Sequence, residues 1–132
     1  MIGTALDTYP VHLGLGATAA VEPAFTGVMQ WYADYLERHQ EDGREGRLVI
    51  MQTFSEPWAT WEMHPEGAEI VVCTAGTITI HQELPNGNAN SVQLTAGQYA
   101  INDPMVWHTA DVSEPATVLF ITAGFGTQQR PR

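Results

Sequence analysis

From Leu48 onward the chain breaks into short stretches of β-forming residues, each ended by glycine, proline or an Asn-Gly pair. That punctuation constrains the fold more than any other feature. Leu48 to Phe54 reads as one strand, followed by a turn at Ser55-Glu56-Pro57. Thr60 to His64 and Glu69 to Thr74 flank a sharp Pro65-Glu66-Gly67 turn. Thr77 to Gln82 alternates cleanly, with Ile78 and Ile80 on one face. Asn86-Gly87 tolerates positive φ and suits a hairpin. Ser91 to Leu94, Gln98 to Ile101, His108 to Val112 and Thr117 to Thr122 complete the set. Many short strands at regular spacing predict an all-β sandwich or barrel.

The N-terminal part reads differently. Residues 1 to about 23 mix Thr, Gly, Ala and Pro without periodicity and form an arm, with a short strand at Tyr9 to Leu15. Phe25, Val28, Met29, Tyr32, Tyr35 and Leu36 then recur at helical spacing, which predicts an amphipathic helix at about 24–41. Gly43 and Gly46 end it.

The chemistry concentrates at Glu62-Met63-His64, with Glu69 after the turn and His108 far downstream. Alternate residues of a strand share a face, so Glu62 and His64 project together. A strand, tight turn and strand bring Glu69 back beside them. Charged groups facing a barrel interior are costly unless paired or metal-bound. Two imidazoles and two carboxylates suit a divalent ion, and mixed N/O donors leave Zn, Mn, Fe and Ni all open. A hydrogen-bonded carboxylate–imidazole network without metal is the competing reading. If Glu62 and His64 point inward, Trp61 and Met63 point outward. The helix is therefore expected on the barrel exterior, away from the pocket.

At these residues the sequence resembles the cupin superfamily. In that family's first motif, G-x5-H-x-H-x(3,4)-E-x6-G, Glu62 stands for the first His, His64 is the second, Glu69 follows, and Gly76 closes the run. The second motif, G-x5-P-x-G-x2-H-x3-N, resembles Gly97 to His108, with Asp103, Met105 and Val112 where the family has Pro, Gly and Asn. The likeness covers roughly Leu48 to Phe125. It implies a jelly-roll barrel over residues 48–126, with the arm and helix over 1–47 and a tail over 127–132. It also implies a homodimer, and a metal-dependent enzyme of oxygenase, isomerase or lyase type acting on a small organic molecule. The alternative function is a metal-free module that binds or senses a small ligand.

Other candidates carry less. Cys73 shares the Glu69 face, where it either lines the pocket or is a buried structural cysteine. Trp58 and Trp107 are candidates for the pocket rim. His81 reads as an exposed strand residue, while His12 and His39 lie in the arm and at the helix end. The Gly14-x-Gly16 pair lacks a third glycine and the strand–turn–helix context of a nucleotide loop. One cysteine excludes an internal disulfide and makes a reducing, cytoplasmic compartment the default expectation. A net charge of −10 repels phosphate backbones and argues against nucleic-acid binding. No apolar run reaches the ~20 residues of a membrane helix, and no secretory signal is legible.

Overall fold

A computed structural model describes all residues from Met1 to Arg132. Eleven strands and one α-helix follow in the order β1 (Val11–Gly14), β2 (Thr18–Val21), α1 (Met29–Arg38), β3 (Arg47–Phe54), β4 (Thr60–Met63), β5 (Glu69–Ala75), β6 (Thr77–Glu83), β7 (Ala89–Thr95), β8 (Tyr99–Asn102), β9 (Trp107–Asp111), β10 (Ala116–Thr122) and β11 (Gln128–Pro131). They form two antiparallel sheets, β2-β1-β3-β10-β5-β8 and β11-β4-β9-β6-β7. This is the jelly-roll arrangement expected of the strand pattern.

The cross-strand register sorts the interior into a core end and a polar end. Ile50, Phe120, Val71 and Ala100 stand side by side on the larger sheet, and Ile80 and Ala110 face them from the smaller one. With Ile78, Leu94, Cys73 and Val118 they make the apolar core. One rank further along, the inward positions turn polar. Thr122, Glu69 and Asn102 are neighbours on the larger sheet, and Glu62, His108 and Gln82 on the smaller. The Gly76 turn packs the strands closely at the core end. Its φ is 74°, and a Cβ there would lie 2.5 Å from the Pro115 carbonyl oxygen, so any side chain would clash as well as strain the backbone.

The two outer faces differ. On the smaller sheet Thr79, His81, Glu83, Ser91 and Gln93 face out, and His81 pairs with Asp111, Glu83 with Arg130 and Arg132 with Asp111. On the larger sheet Val49, Met51, Ile70, Val72, Leu119 and Ile121 face out, with Tyr99 and Ile101 on the edge strand.

Three expectations need correction. The helix is ten residues long, not 24–41. Gly27 adopts φ 78°, which stops the chain from entering the helix earlier, and the segment after His39 tightens into a 3-10 turn. The division at 47/48 and the separate tail at 127–132 also fail as packing units. β1 pairs with β3, and β11 pairs with β4, so both ends of the chain extend the sheets. Backbone hydrogen bonding, which composition does not encode, decides both.

The helix also does not sit on the barrel exterior away from the pocket. Trp31 and Tyr35 are buried against Leu48, while Met29, Tyr32, Ala33 and Leu36 line the cavity mouth. The periodicity identified an apolar helix, but it could not say which opening of the barrel the helix covers. His12 and His39 hold the helix in place. The His12 ring bonds the Tyr35 hydroxyl at 2.6 Å and Asp42 at 2.6 Å, and His39 bonds buried Glu22 at 2.9 Å. The two rings stack at 3.6 Å and 15°. Nearly parallel rings send their in-plane lone pairs past one another, and both His12 nitrogens already have partners. This group is a structural clasp.

Candidate metal centre

The polar end of the barrel gathers the predicted residues. Ligating atoms of Glu62, His64 and His108 all lie within 4.8 Å of one another. Strand pairing sets this up, because Glu62 is directly opposite His108. Glu69 reaches the same spot from the other sheet. Its oxygens lie 3.1 Å from His64 Nε2 and 3.2 Å from His108 Nε2. His64, Glu69 and His108 are all buried.

Hydrogen bonds fix both imidazole tautomers. His108 Nδ1 lies 3.1 Å from the Val106 carbonyl, which only accepts, so Nδ1 carries the proton. Thr127 donates its hydroxyl to the Gly124 carbonyl at 2.9 Å, so at 2.8 Å from His64 Nδ1 it accepts. His64 Nδ1 therefore also carries a proton. In each neutral ring the lone pair is then on Nε2. Both Nε2 atoms are buried and lack a partner in hydrogen-bond geometry, although the Glu69 oxygens are close. A lone pair facing a carboxylate oxygen is repulsive unless a cation intervenes, either a proton or a metal. The donor set fits a divalent ion, with a second shell already in place.

That second shell also holds Glu69. Thr122 donates to Oε2 at 2.6 Å and Asn102 Nδ2 to Oε1 at 3.1 Å. Gln82 steadies Asn102 at 2.8 Å, and Asn90 steadies Gln82 at 3.0 Å. Burial alone would push the Glu69 carboxyl up, but His108 and His64 hold it well below the usual carboxylate range. Burial, followed by repulsion from Glu69, raises the Glu62 carboxyl. Burial opposes charge on His108, yet the close Glu69 carboxylate raises its pKa overall. The two carboxyls thus differ: Glu69 stays ionised, and Glu62 takes up a proton more readily.

Above these residues lies a cavity of about 720 Å³. Its walls include Leu48, Ile50, Phe54, Trp58 and Phe120, and α1 covers part of its mouth. Trp58 lies in the cavity wall, with its ring 6.3 Å from that of His108. Trp107 does not. It precedes inward-facing His108 in a strand, so it points out, where the Arg130 guanidinium lies 4.4 Å from its ring centre. Cys73 is also absent from the lining. It is fully buried in the core, one rank deeper than the cavity floor, and its thiol donates to the Ala75 and Gly76 carbonyls.

Sequence reasoning missed Asn102, Thr122, Gln82 and Tyr32. Asn102 alternates with inward Ala100, so a polar residue on an inward face was a usable signal. Thr122 and Gln82 become visible only once the register is known. Met105, at the position of the motif glycine, takes φ 72° all the same. The turn geometry survives there at a strain of about 1 kcal/mol or more.

No family model matches the sequence, and no curated protein matches it. Solved structures match its fold. An uncharacterised conserved protein with a double-stranded β-helix domain from Klebsiella pneumoniae is 22% identical over 65% of this chain and 76% of its own, with a TM-score of 0.52. An oxalate decarboxylase is 17% identical over 73% of this chain, with a TM-score of 0.55, but this chain spans only 26% of it. A hydroquinone 1,2-dioxygenase solved with Cd2+ and 4-hydroxybenzonitrile is 16% identical over 58% of this chain and 56% of its own, with a TM-score of 0.51. At such identities the likeness shows fold. The chain has the cupin fold, a double-stranded β-helix with candidate metal-binding residues at its polar end. No helix is long and apolar enough to cross a membrane.

Proposed function

We propose that this protein is a divalent-metal-dependent enzyme acting on a small organic molecule held in the cavity. Glu62, His64 and His108 hold the ion, and Glu69 either completes the shell or balances its charge. The observation that carries this reading is the pair of buried Nε2 lone pairs, fixed by their Nδ1 bonds and converging on two carboxylates. Such an ion, when bound, polarises a ligand oxygen or lowers the pKa of bound water. The chain's own groups do the rest. The apolar walls exclude water, and Gln52 and Gln129 offer amides to orient a polar substituent. When no ion is bound, Glu62, with its raised carboxyl, is placed to accept or release a proton at its carboxylate oxygen. The family resemblance suggests a reaction of oxygenase, isomerase or lyase type. The competing reading, a metal-free ligand-binding module, draws on the closeness of Glu69 to both rings, since protons on both Nε2 atoms would satisfy the cluster.

Metal and pH separate the two readings. Protein purified without chelators or a His tag should contain about one divalent ion per chain by elemental analysis. Chelation should lower its melting temperature, and His64→Ala should abolish that sensitivity. The pH slopes should oppose one another. Without metal, the raised pKa of His108 gives stability that is complete below its ordinary value near 6.5 and is lost as pH rises through the folded value. With metal, the rings must be neutral, so the metal-dependent gain grows with pH. A melting curve that ignores both EDTA and added Zn2+ or Mn2+ at every pH would favour the metal-free module.

A further inference from the structure

The electrostatics of the cavity select its ligand. This inference rests on reading the cavity as a small-molecule site. Glu56, Glu62 and Glu69 line it, and none of the chain's five basic residues does. Arg38, Arg130 and Arg132 are committed to Glu22, Glu83 and Asp111 elsewhere. A carboxylate or phosphate ligand would therefore enter a low-dielectric space beside like charge, with no guanidinium or ammonium to receive it. A divalent ion held by Glu62 and Glu69 is neutralised by them and leaves no surplus positive charge. The walls offer the faces of Phe54, Trp58 and Phe120, whose centroids lie 5.4 to 6.0 Å apart. We propose that the cavity takes a neutral molecule with a flat, aromatic-sized apolar body and an oxygen donor at one end, and discriminates against the carboxylate of the same shape.

The matched probes are 4-ethylphenol and 4-ethylbenzoate at pH 7, titrated calorimetrically into protein as purified and after EDTA treatment. The phenol should bind at least ten-fold more tightly in both. Glu62→Gln should narrow the ratio in the EDTA-treated protein by removing one repelling carboxylate. A ratio below ten in either preparation, or no binding of either ring, overturns the proposal. Metal content is measured separately. If the protein as purified carries no stoichiometric metal and the preference still holds, the metal reading falls and the ligand class stands.

Discussion

Replacing Glu69 by alanine should destabilise the metal-free protein by about 3–5 kcal/mol, the range for removing one partner from a buried charged group. The carboxylate is 3% exposed and accepts from Thr122 and Asn102. It also faces both His64 and His108. Its loss strands two buried donors and leaves His108 without the charge that raises its pKa. Urea denaturation of EDTA-treated protein measures the effect. Glu69→Gln keeps the volume and one acceptor, so it should cost less than alanine. A loss below about 1 kcal/mol for alanine would mean that water already satisfies this cluster, and the buried-network account would fail.

The second large effect should come from the N-terminal segment. Trp31→Ala removes a ring that is 7% exposed, stacks on Tyr35 at 5.9 Å and donates its indole N–H to the Ala24 carbonyl at 3.0 Å. Large-to-small changes of this kind cost about 3–5 kcal/mol. Removing residues 1–45 goes further. It strips β1 from the edge of β3, uncovers Leu48 and opens the cavity mouth, so aggregation is expected. A truncated protein that stayed soluble and melted at the same temperature would make the helix a dispensable appendage.

The clearest part of the sequence was local. Alternation within Thr77 to Gln82 placed Ile78 and Ile80 in the core, and the same period of two placed Glu62 and His64 inward together. The Pro65-Glu66-Gly67 turn returned Glu69 to them. Each inference needs only backbone geometry over a few residues, and each agrees with the structure. Trp107 shows the rule ignored: its neighbour His108 points in, so it had to point out.

What the sequence by itself determined about this protein was therefore its all-β character, the inward set Glu62, His64, Glu69 and His108, and one amphipathic helix. Only the tertiary structure decided where that helix lies, that both chain ends extend the sheets, and that Thr122, Asn102 and Thr127 fix the protons and charges at the site. Those facts depend on contacts between residues dozens of positions apart, as His64 and Thr127 are. Pairing register and helix docking are choices among distant partners, and their energies are summed over the whole barrel, so no local pattern carries them.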